Sequence, residues 1–178
     1  MAKKILVVCG SPHKNSHSDA LAMAFAEGAK DSGNTVEILK LVEKSFSPCL
    51  GCDGCRNSGN WECILDDDMQ DLYKLVEEAD IVALATPLYF LTVSAQLKAF
   101  IDRLYCKYHG KAIPGKKSVL ITTSGSPGSD VIIDYFNALC GLVRWENAGV
   151  ITHGGLRRSS AAPRDEKLAE AYRLGESM

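Results

Sequence analysis

Two spacings of apolar residues alternate along the chain. "KILVVC", Lys4–Cys9, is an almost unbroken aliphatic run closed by Gly10, as expected of a strand buried on both faces of a parallel sheet. From Ser18 to Ser32 the apolar positions move to helical spacing, with Leu21, Ala22, Phe25, Ala26 and Ala29 in one stripe and Gly33 as the stop. Thr35–Leu41 returns to a strand. After a long loop, Asp67–Glu78 reads as a helix whose early aspartates suit the positive end of its dipole. "DIVALAT", Asp80–Thr86, is a third strand and Val93–Tyr108 a long helix. "KSVLITTS", Lys117–Ser124, is a fourth strand and Ser129–Gly141 a helix. Arg144–Thr152 and Pro163–Leu174 supply the last strand and helix.

Five strands alternating with five helices predict a doubly wound α/β sheet, because parallel strands need right-handed crossovers that cover both faces. The expected order is 2-1-3-4-5, the flavodoxin-like arrangement, in one domain over residues 1–178 with a cysteine-rich insertion after strand two. Ligands of such sheets sit beyond the carboxyl ends of the strands, so the loops after strands one, three and four matter most.

Composition narrows the function classes. Twenty basic against twenty-two acidic side chains give a net charge of -2 with no basic stripe, which argues against a nucleic-acid partner. The apolar run after Lys3 and Lys4 is shorter than a signal peptide requires. Ile81–Leu97 is interrupted by Thr86, Pro87, Thr92, Ser94 and Gln96, too broken for a membrane span. A soluble cytoplasmic protein is expected, and in a reducing cytosol clustered cysteines point to metal or redox chemistry more than to disulfides.

The first loop, "CGSPHKNSHSDAL", carries Gly10, Ser11, Ser16 and Ser18 from a strand end into a helix start, where free amides and the dipole favour an anion. Capping alone, with Ser16 and Asp19 as a box-like pair, accounts for part of the same pattern. Sharper phosphate motifs fail: no second glycine follows Gly10 in dinucleotide spacing, and Asn15 stands where a Walker loop needs glycine. Asn15 also stands where a cysteine phosphatase nucleophile at Cys9 would need arginine. What survives is a loop that holds phosphate through hydroxyls and amides. The third loop, opened by Pro87, presents Leu88, Tyr89 and Phe90, apolar and aromatic surface fit for a flat ligand or a neighbouring subunit. The fourth loop offers Ser124, Gly125, Ser126 and Gly128, small residues where a backbone can approach a ligand edge.

Together "GSPHKNSHSDAL", "CLGCDGCRNSGNWECILDDDM" and "TPLYFLTVSAQLKAFIDR" resemble the flavodoxin-fold NAD(P)H-dependent FMN reductases, and among them the iron-sulfur flavoproteins, over about Lys3 to Ser126. The resemblance implies FMN. It places the phosphate in the loop of Ser11, His13, Asn15, Ser16 and Ser18, and the ring against Pro87, Leu88, Tyr89 and Phe90, with Ser124 and Gly125 along its other side. It also implies a homodimer or homotetramer, with NAD(P)H as a transient donor.

Cys49, Cys52, Cys55 and Cys63 follow C-x2-C-x2-C-x7-C. Two-residue gaps turn successive thiolates toward one centre, and Gly51 and Gly54 ease those turns. Three readings stay open: the [4Fe-4S] cluster that the iron-sulfur flavoproteins suggest, a zinc site of four thiolates, or free redox-active thiols. Cys9, Cys106 and Cys140 fall on predicted strand or helix positions and read as core.

The function expected is FMN-dependent oxidoreduction, the cofactor doing the chemistry and no side chain serving as a dedicated acid or base. Electrons would leave through the cluster to a redox partner such as ferredoxin, or in pairs to a small acceptor such as a quinone, which Tyr89 could stack. The alternatives are a cluster-free NAD(P)H-dependent reductase and a non-enzymatic, zinc-stabilised binding module.

Overall fold

A computed structural model describes residues 2–126, 130–156 and 163–178. Gly128 and Ser129, counted above in the fourth loop and as a helix start, lie outside these ranges.

Five strands, β1 (Lys4–Cys9), β2 (Thr35–Lys40), β3 (Ile81–Pro87), β4 (Lys117–Thr123) and β5 (Glu146–His153), form one parallel sheet in the order β2-β1-β3-β4-β5. This is the expected order. The register sets Cys9 beside Lys40 and Ala85, Pro87 beside Thr123, and Thr123 beside His153. The carboxyl ends of β1, β3, β4 and β5 therefore share one edge, and their loops leave it together.

The strands alternate sides, as the two-residue period demands. Ile5, Val7, Cys9, Ala83 and Ile121 pack in one core layer with Leu21 and Phe25 of α1 (His17–Asp31) and Ala171 of α7 (Asp165–Glu176). Leu6, Val8, Leu84 and Leu120 face the other layer. There they meet Leu72 and Val76 of α3 (Met69–Glu78), Leu97 and Phe100 of α4 (Ala95–Arg103), and Phe136 and Cys140 of α6 (Asp130–Val143). Two short helices complete the set, α2 (Gly54–Asn57) inside the cysteine loop and α5 (Tyr105–His109) after α4.

The single long helix expected over Val93–Tyr108 is divided in two. Ser94 caps α4, its Oγ accepting from the Leu97 amide at 3.2 Å, so the helix begins at Ala95. At its end the Arg103 carbonyl accepts from the Tyr73 hydroxyl at 3.2 Å and from the Cys106 thiol of α5 at 3.4 Å. No apolar spacing along 93–108 encodes that break. The expected helix from Asp67 starts instead at Met69, since both aspartates turn to the cysteine loop.

Helices α1 and α6 end in the same manner with different residues. After α1, Gly33 takes φ +86° and the Asn34 amide bonds back to Ala29 O. After α6, Arg144 takes φ +59° while the Trp145 amide reaches Cys140 O at 2.8 Å. Both are left-handed terminations in which glycine carries no Cβ penalty. Arg144→Gly is expected to raise stability by about 1 kcal/mol, read as a higher urea midpoint with an unchanged slope.

Candidate functional site

At the shared edge lies a cleft of about 560 Å³ lined by Ser11, His13, Asn15 and Ser16 on one side and Pro87, Leu88 and Tyr89 on another. Thr123, Ser124, Gly125 and Leu156 close the third side. This volume falls in the range of small-molecule and cofactor sites. Nine of the eleven residues that the sequence suggests thus meet at one place: Ser11, His13, Asn15, Ser16, Pro87, Leu88, Tyr89, Ser124 and Gly125. Ser18 does not line the cleft; it is buried beneath the loop with its Oγ 3.0 Å from Ser16 Oγ. Phe90 does not line it either and is fully exposed. Lys14, His17, Thr123 and Leu156 were not among the candidates, although Lys14 and His17 stand inside the quoted phosphate-loop motif.

The first loop is built to offer donors. Ser16 is the N-cap of α1, its Oγ accepting from the Asp19 amide at 3.1 Å, and Ser11 Oγ accepts from the His13 amide at 3.2 Å. A hydroxyl that accepts in this way keeps its own hydrogen to donate. Asn15 at φ +56° turns the chain between them. The helix terminus lies under the cleft, where the dipole favours negative charge. Capping and anion binding are therefore compatible uses of one serine.

Behind the loop, Gly10 is fixed by close approach. A Cβ there would sit 2.7 Å from Leu97 Cβ, its amide donates to Ala85 O at 2.8 Å, and its carbonyl accepts from the Ser94 hydroxyl. Ser94 so joins the first loop to the start of α4. The third loop is oriented by Thr86, whose Oγ1 donates to Pro87 O at 2.9 Å and accepts from the Ser94 amide at 3.0 Å, and by the Leu88 amide, which reaches Thr123 O at 2.7 Å. Tyr89 and Thr92 exchange both backbone hydrogen bonds at 3.0 Å, closing a two-residue turn over Phe90 (φ +47°) and Leu91 (φ +66°). Left-handed backbone at two residues with side chains costs about 1–2 kcal/mol each, and such strain concentrates at ligand-binding loops. The turn throws Phe90 outward and leaves Tyr89 on the cleft wall. On the fourth loop, the Ser124 amide is held by His153 O at 3.0 Å, and Ser124 O accepts from the Leu156 amide at 3.0 Å. Burial, with Arg164 nearby, holds the His153 imidazole below its usual pKa, and its Nε2 accepts from Arg164 Nε at 3.2 Å.

A second hollow, about 310 Å³, is lined by all four clustered cysteines with Leu50, Ile64, Leu65, Arg103 and Tyr105. Cys49 and Cys52 are exposed; Cys55 and Cys63 are half-buried. Partial burial raises the Cys55 thiol pKa; the Arg56 amide opposes this, and Cys63 and Cys49 add to it. Among the described residues no three His, Cys, Asp or Glu side chains converge tightly enough to hold a single metal ion. The thiols share one chamber without meeting at one point. Cys9, Cys106 and Cys140 are buried in the core, and burial pushes the Cys9 thiol up to about 12 and Cys140 to about 11. In metal-free folded protein at pH 8, Cys49 and Cys52 are expected to alkylate with iodoacetamide while Cys9 and Cys140 stay unmodified, since the thiolate is the reactive form. Peptide mass mapping checks this, and early Cys9 labelling would contradict its burial.

The sequence matches the NADPH-dependent FMN reductases over residues 3–146. The chain belongs to this family. Among its relatives is an iron-sulfur flavoprotein of Archaeoglobus fulgidus, 34% identical over 97% of this chain and 77% of the relative. Another iron-sulfur flavoprotein, from Methanosarcina thermophila, is 31% identical over 69% of this chain and 64% of its own length. In fold the family member is similar to the NAD(P)H:quinone oxidoreductase of Methanothermobacter marburgensis, with a TM-score of 0.79 at 21% identity, covering 99% of this chain and 97% of the other. Among the described residues no helix is long and apolar enough to cross a membrane.

Proposed function

We propose that the chain is an FMN-dependent oxidoreductase whose strand-end cleft holds FMN and whose thiol hollow holds a [4Fe-4S] cluster. The observation that carries the flavin reading is the make-up of the cleft: hydroxyls and a helix terminus on one wall, Pro87, Leu88 and Tyr89 on another, and small residues on the third. Ser11, Asn15 and Ser16 would hold the phosphate, with His13, Lys14 and His17 beside them. Pro87–Tyr89 and Thr123–Gly125 would flank the ring. When bound, the flavin supplies hydride and single-electron chemistry that no side chain here provides. The protein's part is to bind, orient and shield, and Tyr89, half exposed on the wall, is placed to stack a small acceptor or a transient NAD(P)H donor.

The cluster reading rests on four thiols lining one largely apolar chamber. A tetrahedral zinc site would take the same four thiolates, while four cysteines are also the full ligand set of a [4Fe-4S] cluster. The names of the relatives agree with it. A cluster-free reductase of quinones or similar acceptors is the second reading, favoured by the exposure of Cys49 and Cys52. Four closely spaced thiols fit a reducing cytoplasm. The exposed Phe90 and Leu91 beside the cleft support a homodimer or homotetramer, and a cluster would pass electrons to a redox protein such as a ferredoxin.

The test is anaerobic purification followed by FMN titration and assay of flavin, iron, sulfide and zinc per chain. One flavin with iron and sulfide is the expected result. Flavin without iron selects the second reading, and folded protein that takes up no FMN removes both.

A further inference from the structure

Both stems of the cysteine loop end on one buried cation. Arg103, the last residue of α4, is 2% exposed. Its Nη1 donates to Ser47 O at 2.8 Å and to Asp67 Oδ2 at 2.7 Å, its Nη2 to Asp67 Oδ1 at 3.0 Å, and its Nε to the Tyr73 hydroxyl at 3.1 Å. Ser47 precedes Cys49 and Asp67 follows Cys63, so the guanidinium spans the base of the segment that carries all four thiols. The Ser47 amide returns to Asp67 Oδ2 at 3.1 Å, the Tyr73 hydroxyl returns to Arg103 O at 3.2 Å, and Gln70 Nε2 ties Cys63 O at 2.9 Å and Leu65 O at 2.7 Å. Arg103 also forms part of the wall of the thiol hollow.

We propose that Arg103 is the positioning residue of the thiol hollow: its fork fixes the two stems so that Cys49, Cys52, Cys55 and Cys63 are presented as one ligand set, and its fixed charge stands beside the anionic group they hold. The identity of that group rests on the cluster reading; the clamp does not.

The chemistry calls for arginine in particular. Four thiolates around an iron-sulfur core carry net negative charge, and such a group's potential responds to charges and hydrogen bonds around it. A guanidinium stays protonated in any protein environment and binds a carboxylate through two parallel bonds. A lysine at 103 would keep the charge, but three donors on one nitrogen could not reproduce the four bonds that the fork makes from Nε, Nη1 and Nη2. Removing the cation altogether would leave Asp67 half-buried and unpaired, which is the costly way to break such a pair. Groups that orient metal ligands typically alter metal retention by about 10- to 100-fold when removed.

Arg103→Leu, Arg103→Lys and the milder Asp67→Asn would be compared with the parent chain, all purified anaerobically. Three quantities are read: backbone hydrogen exchange across residues 45–67, the rate of iron loss to a chelator, and the midpoint potential of the iron centre. Arg103→Leu is expected to speed exchange across the loop, release iron about 10- to 100-fold faster, and lower the potential. Arg103→Lys should loosen the loop similarly and leave the potential near the parent value, which a purely structural residue would not do. FMN affinity should hold in all three, because Arg103 does not line the flavin cleft. If the parent chain carries no iron, the cluster reading fails alone, and exchange together with the alkylation rates of the four thiols decides the clamp. Parent-like exchange in Arg103→Leu and Asp67→Asn overturns the proposal; should Arg103→Leu not fold, Asp67→Asn decides it.

Discussion

Ser16→Asp is expected to leave the protein folded and to lower its affinity for FMN by about 100- to 1,000-fold. Asparagine, aspartate and serine serve comparably as N-caps, so the bond from the Asp19 amide now made to Ser16 Oγ at 3.1 Å has a replacement acceptor. A carboxylate there also meets the positive end of the α1 dipole, which offsets its repulsion from the buried Asp19 carboxylate that Ser16 now faces. The same carboxylate occupies the place proposed for phosphate. Two unit charges about 4 Å apart repel by about 4 kcal/mol at an effective dielectric near 20, close to a thousandfold in Kd; the cleft's access to water lowers that figure toward the smaller end of the range.

Two companions separate charge from shape. Ser16→Asn keeps the cap without the charge and should bind FMN within about tenfold of the parent chain. Riboflavin, which has no phosphate, should bind Ser16→Asp and parent equally. Fluorescence quenching titrations read all five pairings of protein and ligand. Undiminished FMN affinity in a stable Ser16→Asp protein would place the phosphate elsewhere and leave capping as the whole role of Ser16.

What could be read in the sequence follows how local its cause is. The strands are legible to within about two residues at either end because burial on both faces makes "KILVVC" and the centre of "KSVLITT", Val119–Ile121, continuous aliphatic runs. The cleft is legible for a related reason, since the sheet order brings the same strand ends together in every such fold. Long-range ties are not. The Arg103 carbonyl at the end of α4 bonds a hydroxyl from Tyr73, thirty residues away in the chain, and the aspartates at 67 and 68 look like dipole partners until Ser45 and Ser47 are found bonded to them. Phe90 misleads in a different way. Its type suits a flavin wall, but no local signal announces the positive φ values that turn it outward, since neither Phe90 nor Leu91 is a residue that favours them.

Gly28→Ala and Gly175→Ala are each expected to destabilise the protein by about 1–3 kcal/mol or more, although the same change in an open helix is stabilising by about 1 kcal/mol. The two glycines face each other's helices. A Cβ on Gly28 of α1 would lie 2.0 Å from Tyr172 O of α7, and one on Gly175 would lie 2.0 Å from Phe25 O and 2.9 Å from the Ala29 nitrogen. Backbone meets backbone at both points, so no side-chain rotation can relieve the clash and α7 must withdraw from α1. That withdrawal would uncover Phe25 and Ala171, both fully buried in the layer that covers Val7 and Ile121. Gly141 supplies the control. It also lies in a helix, α6, yet a Cβ there meets nothing within 4 Å, so Gly141→Ala should gain up to about 1 kcal/mol. For a chain of this length each kcal/mol moves the thermal midpoint by about 2–4 °C. Opposite signs for the three substitutions are thus resolvable in one set of melts, and a gain at Gly28 or Gly175 would mean that α7 does not lie against α1 as described. The loss should also reach the cleft, because Ser16 and His17 begin the helix that α7 supports.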